Sequence, residues 1–293
     1  MTRDMRAKPE CLPCCLKQMI NIAERVTSDE EVHERLIRRG LEFLSRAGLG
    51  QTPAEISTGI FRLVTEALNV PDPFGLEKSR YNAEAMAMYP RMRGMIAAAG
   101  DPFRTALLLS VAGNLIDLGI LAPMAVDAAV ESVLSEGFAK ETQEALQADL
   151  AKSRRLLIIG DNAGEIAFDR LLAEEIHRLY PRPEIVFAVK SGPAMNDATA
   201  RDAAEVKLNE IAEVIETGGA YLGVPKIGTT PAFWEEFNRA DVVIAKGHAN
   251  YETLDDVPHP ALYSLVTVKC GIVAAATGVK TGDSVLVKLS FPP

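Results

Sequence analysis

The run Leu156-Leu157-Ile158-Ile159-Gly160-Asp161-Asn162-Ala163-Gly164-Glu165 constrains this chain more than any other segment. An apolar stretch of strand length stops at Gly160, crosses a short polar turn and passes into the amphipathic segment Ile166 to Leu179. A buried strand feeding a helix in this way is the repeating unit of an α/β sheet. In such sheets ligands bind just beyond the carboxyl ends of the strands. The turn therefore carries a carboxylate, Asp161, and an amide, Asn162, to a ligand-binding edge. Hard oxygen donors of this kind suit Mg²⁺, Mn²⁺ or a similar divalent ion. The plainer use of the same residues is an Asx cap on the next helix.

The rest of the second half alternates in the same manner. Strands are predicted at 155–159, 185–189, 242–245 and 285–289, with helices at 165–180 and 231–238 between them. That order gives βαβ units and a mostly parallel sheet. The first half reads as helices. Ser28-Asp29-Glu30-Glu31 and Thr52-Pro53-Ala54-Glu55 are capping boxes, the second with proline at the first helical position. Further helical patterns cover 78–98, 101–117, 123–134 and 140–151, and no strand is predicted before residue 154. The pattern changes near residue 150, which divides the chain into a helical domain, 1–150, and an α/β domain, 151–293, with the first expected to pack on the second and partly cover its site.

Composition narrows the function classes. The chain has 293 residues, 48% of them hydrophobic, enough for a substantial core. A net charge of -9 and a pI near 5.1 argue against nucleic-acid binding, which needs a basic face. No apolar run reaches the length of a membrane span, and residues 1–10 are polar, without a signal-peptide core. A cytoplasmic protein with no membrane partner is expected. Three of the four cysteines, Cys11, Cys14 and Cys15, lie within five residues, which is a poor disulfide framework for a chain this long.

Three predicted strands end in polar, glycine-containing segments: Gly160 to Glu165, Lys190 to Asp197, and Lys246-Gly247-His248-Ala249-Asn250. In a parallel sheet all three share one edge. Together they bring carboxylates, amides, two lysines and free backbone N–H groups, the kit for a cation and a phosphate. There is no Walker phosphate loop, no G-x-G-x-x-G fingerprint, no G-x-S-x-G elbow and no HExxH pair. His33 and His177 fall in amphipathic helices, and His248 alone lies in a candidate site segment.

These residues resemble the metal-dependent damage-control phosphatases, the ARMT-like family once known only as a domain of unknown function, and within it the stand-alone microbial branch with an N-terminal Cys-x-x-Cys. The resemblance runs through Cys11-Leu12-Pro13-Cys14, Lys78 and Asn82, Ala112 to Asp117, Gly160 to Glu165, Asn196 to Thr199, Ala240 to Gly247, and Val268-Lys269-Cys270. It implies an all-helical domain packed on a Rossmann-like three-layer domain. It also implies a divalent metal (Mg, Mn, Co or Ni) held by Asp161, Asn162 and Asp197, and hydrolysis of small phosphate monoesters such as phosphosugars or damaged phosphometabolites. By the same resemblance Lys246 faces the phosphate, while Asn114 and Asp117 approach from the helical side. The family often reads Lys-Gly-Gln-Gly-Asn where this chain has Lys246-Gly247-His248-Ala249-Asn250, a departure that bears on substrate preference.

On this reading a bound metal would neutralise charge on the phosphate and supply a more acidic water, and Lys246 with the Ser191-Gly192 backbone would hold the phosphoryl oxygens. His248 and Asn250 complete the substrate pocket. Asp161 is a water-orienting group, a base or a nucleophile. Cys11 and Cys14 form a separate candidate site for zinc or redox chemistry, with Cys270 as a further ligand, against simple packing of small thiols. An S-adenosylmethionine-dependent carboxyl methyltransferase and a non-catalytic binder of a phosphorylated metabolite are the competing functions.

Overall fold

The computed structural model describes the backbone of residues 4–116 and 123–291, and the side chains of residues 4–113 and 130–291. Six helices come first: α1 (Cys11–Glu24), α2 (Glu30–Arg46), α3 (Pro53–Leu68), α4 (Gly75–Ala98), α5 (Pro102–Ile116) and α6 (Pro123–Glu136). The chain then alternates through β1 (Lys140–Glu141), α7 (Gln143–Leu150), β2 (Arg155–Ile159), α8 (Glu165–Leu179), β3 (Glu184–Val189), α9 (Ala200–Glu205), β4 (Glu213–Glu216), α10 (Pro231–Arg239), β5 (Val242–Lys246), α11 (Gly247–Leu254), β6 (Leu262–Thr267), α12 (Gly271–Thr277) and β7 (Ser284–Lys288).

Local chemistry sets the helix starts. Thr52 and Glu55 form the expected reciprocal capping box at α3, with Pro53 at the first position. At α2 the cap is Asp29 rather than the expected Ser28, because the Asp29 carboxylate accepts both the Glu31 and Val32 N–H groups.

The sheet runs β1-β7-β6-β5-β2-β3-β4, and every neighbouring pair is parallel except β6 with β7. From β2 the chain moves outward to β3 and β4, then crosses back to lay β5 on the other side of β2. The order therefore reverses between β2 and β5, and the crevice at their carboxyl ends is the place where such a sheet binds ligands. β2 is buried along its whole length, as a central parallel strand must be when helices cover both faces. Leu156 and Ile158 join one core with α4, α5 and α8; Leu157 and Ile159 join the opposite core with α10 and α12. The first of these cores runs across residue 150, since Tyr89, Met92 and Leu107 share it with the strands. Helices α1 to α3 close around a third core of their own, centred on Cys15, Met19, Ile22, Ile60 and Val64.

Three strands depart from the sequence reading. β1 is only two residues long, inside the stretch predicted as helix. β4 is a four-residue edge with a glutamate at each end, and β6 interrupts its apolar pattern with the buried Ser264. Helix α11 is the most consequential departure: Lys246 to Asn250, read as a loop, is the last residue of β5 and the first turn of this helix.

Candidate active site

Two backbone stitches assemble the site. Asn162 and Asp197 form an isolated antiparallel bridge, and Lys190 pairs with Thr199 in parallel fashion. The Ala198 N–H donates to the Asp161 carbonyl at 2.8 Å, and the Ala163 N–H donates to the Asn196 carbonyl at 2.9 Å. The turns after β2 and β3 are thereby zipped together, although their residues are some 35 positions apart. Asp161, Asn162 and Asp197 consequently line one cleft of about 380 Å³ above the β2–β5 switch point. The cleft is floored by the sheet edge and walled by the helical layer, through Pro53, Ala54 and Ser57 of α3 and the start of α1.

The backbone around Asp161 leaves no slack. Gly247 has φ +76°, and a Cβ placed there would sit 1.8 Å from Asp161 Oδ2. The carboxylate thus lies directly against the first residue of α11, an approach only glycine permits. Gly164 has φ +78°, and its N–H donates to Asn82 Oδ1 at 2.7 Å. The Asn82 amide in turn donates to Asp202 and Glu205, so one side chain of α4 ties the β2 turn to α9.

Beneath the cleft the charges are dense and mostly negative. Asp161, Glu165, Asp169 and Asp197 are all buried, facing the buried Lys190 and Lys246. Lys190 donates to the Gly223 carbonyl at 2.5 Å and lies 3.6 Å from Asp197; burial pulls its pKa down, against the attraction of Asp197 and Asp161. Burial also drives Glu165 up to about 8, with Asp169 and Asp161 adding to the rise and Lys246 opposing it. For Lys246, burial opposes the charge, but the carboxylates of Asp169 and Glu165 outweigh it and hold the ammonium protonated. Hard oxygen donors beside a surplus of buried carboxylates fit a divalent cation. Asp161, Asn162 and Asp197 offer two carboxylates and one amide. Among the described residues no three His, Cys, Asp or Glu side chains come together as a further metal set.

The structure brings some sequence candidates into the cleft and directs others elsewhere. His248 lines it, with its Nε2 accepting from the Lys269 N–H at 2.7 Å; burial, with Lys269 beside it, pulls the ring down to about 4. Lys246 does not face the cleft. Its Nζ is fully buried and donates to Glu165, to Asp169 at 2.6 Å and to the Ser110 carbonyl at 3.1 Å, which uses all three of its protons. Asn250 is likewise structural: its amide donates to the Gly160 and Lys246 carbonyls and so fastens α11 to the β2 turn. Ser191 and Gly192 turn toward the end of β4, where Ser191 Oγ accepts from the Gly218 N–H at 2.7 Å and Gly192 approaches Ala220. Asn114 and Asp117 lie outside the described side chains.

Two residues take positions in the cleft for which the sequence reading gives no role, although Lys269 lies in the Val268-Lys269-Cys270 motif. Glu252 stands across the cleft on α11, accepting from the Ala54 N–H at 3.0 Å, and burial pushes it up to about 8. Lys269, exposed at the end of the segment after β6, is the cation on the cleft wall. Helical spacing from His248 would have revealed Glu252 had α11 been recognised. Cys11, Cys14, Cys15 and Cys270 all line the same cleft as free thiols, and burial raises Cys11, Cys14 and Cys15. No helix among the described residues is long and apolar enough to cross a membrane.

Known proteins share this architecture. The chain is 33% identical to a damage-control phosphatase of Archaeoglobus fulgidus, over 96% of this chain and 98% of that protein. It is 30% identical to a damage-control phosphatase of Pyrococcus horikoshii, over 98% and 99%, and 35% identical to an uncharacterized protein of Methanocaldococcus jannaschii, over 97% and 96%. The crystal structure of a DUF89 family protein from Pyrococcus horikoshii superposes with a TM-score of 0.88 at 31% identity, covering 98% of this chain and all of that one. A damage-control phosphatase ARMT1-like domain matches residues 7–285, and the chain belongs to that family.

Proposed function

We propose that the cleft hydrolyses small phosphate monoesters, phosphosugars or damaged phosphometabolites, with a divalent metal held by Asp161, Asn162 and Asp197. The observation that carries this reading is the Asn162–Asp197 bridge, which gathers two carboxylates and an amide from different βα turns at the sheet's switch point. A bound metal would supply Lewis acidity at the phosphoryl oxygens and a more acidic water. The chain's own residues do the rest. Asp161 lies against Gly247, accepts from the Asn162 amide at 3.1 Å and orients what binds beside it. Lys269 replaces Lys246 as the cation within reach of a phosphate, because the Lys246 protons are all engaged below. His248 is fixed by the Lys269 backbone and shapes the cleft rather than carrying charge.

The test is hydrolysis of p-nitrophenyl phosphate after chelation, with Mg²⁺, Mn²⁺, Co²⁺ and Ni²⁺ restored singly and Asp161→Ala as control. Turnover that returns with metal and vanishes in the variant supports the reading. No turnover with any metal overturns it in favour of a phosphometabolite binder or a methyltransferase, and turnover unaffected in the variant overturns the assignment of Asp161. A phosphosugar screen then identifies the ester.

A further inference from the structure

The cleft carries chemistry that phosphate hydrolysis leaves unused. Its wall on the helical side begins with Cys11 and Cys14, in the first turn of α1, and Cys270 stands opposite at the cap of α12. Four thiols around one cavity, on a chain with only four cysteines, is a concentration that core packing does not require. They are not equivalent. Cys15 points into the α1–α3 core, 3.4 Å from Ser57 Oγ, and is 2% exposed. Cys11 is 6% exposed and accepts from the Lys8 N–H at 3.3 Å. Cys14 is exposed to solvent.

We propose that Cys11 and Cys14 are a redox-active dithiol, oxidised to an intrahelical disulfide by a small-molecule disulfide that enters at the cleft mouth. Residues three apart on a helix have Cα atoms about 5 Å apart, inside the roughly 4.4–6.8 Å span that a disulfide needs. The bond can therefore close without moving α1. Cys270 is carried by a different element, the cap of α12 across the cleft. The order of events follows from exposure. The Cys14 thiolate attacks one sulfur of the small disulfide, forming a mixed disulfide and releasing one thiol. The Cys11 thiolate then attacks the Cys14 sulfur, closing the bridge and releasing the second thiol. Two electrons pass from the dithiol to the small disulfide, and the two cysteine protons end on the released thiols. Partial desolvation in the cleft raises both thiols, with Glu252 and Cys270 adding to the rise, so exchange quickens as the solution is made alkaline.

The experiment incubates the full-length protein with oxidised glutathione at about pH 8, followed by thiol titration and non-reducing peptide mapping. The expected result is loss of two of the four thiols, mapped to a Cys11–Cys14 bridge and reversed by reductant. Cys11→Ser should trap glutathione on Cys14 as a stable mixed disulfide, whereas Cys14→Ser should keep all its thiols. Four free thiols after oxidation, a bridge to Cys15 or Cys270, or glutathione trapped first on Cys270 would each overturn the proposal. The readout is sulfur chemistry alone, so it stands or falls independently of phosphatase turnover.

Discussion

Lys246→Met separates two roles for one lysine. If the ammonium faced a phosphate, its removal would cost turnover and leave the fold intact. The structure buries it completely between Glu165, Asp169 and the Ser110 carbonyl. Methionine matches the length of the aliphatic stem but leaves two buried carboxyl groups without their cation. Breaking a buried pair from one side costs about 3–5 kcal/mol, or between about two and four powers of ten in the folding constant. The midpoint of urea unfolding should fall by on the order of 1–2 M. The penalty should depend on pH. Without Lys246, Glu165 loses the group that opposes its rise. An acid whose pKa is higher folded than unfolded binds more protons when folded, so the variant regains stability as pH falls toward the ordinary carboxyl range and is weaker at neutral than at acid pH. Urea unfolding of chelated protein at about pH 7.5 and about pH 5 reads both effects. A variant as stable as its parent, with turnover lost, would refute the buried network and return Lys246 to the substrate.

Three more outcomes follow from particular contacts. Gly247→Ala places a methyl 1.8 Å from Asp161 Oδ2 at φ +76°; it should weaken Mn²⁺ binding at least about tenfold by calorimetry while the circular dichroism spectrum is kept, as expected when a group supporting a metal ligand is displaced. Asn82→Ala removes the acceptor of the Gly164 N–H and a donor to Asp202 and Glu205; a buried N–H left unpaired costs about 1–3 kcal/mol, read as a lower urea midpoint together with slower turnover, because the β2 turn loosens. His259 is buried, with Nε2 facing the Ala240 carbonyl and Nδ1 accepting from the Ala261 N–H, and burial depresses its pKa. Its stabilising contribution is complete above the unfolded value of about 6.5 and is lost as pH falls through the lower folded value; His259→Gln should therefore lose less stability than the parent on acidification in the same urea assay.

Much of this architecture is legible in the sequence because its signals are local. An apolar run ending in Gly160, a threonine three residues before Glu55 and a proline at position 53 each act within a few residues, and β2 and α3 begin where those signals stand. β4 and β6 are different. Four residues flanked by glutamates, or a strand holding a buried serine, become strands only because β3 and β5 offer a ladder beside them. The site follows the same division. Which loops carry the polar groups is written locally, so Asp161, Asn162 and Asp197 can be named from the chain. Which way Asn250 and Glu252 face depends on α11 beginning at Gly247, directly after the strand ends. That immediate start swings Asn250 onto the Gly160 carbonyl and brings Glu252 one helical turn beyond His248 into the cleft, while the pleat of β5 puts Lys246 on the face of Val242 and Ile244, toward Glu165 and Asp169. The glycine is needed both for its positive φ and for the space taken by Asp161, so one residue starts the helix and sets the position of the carboxylate together.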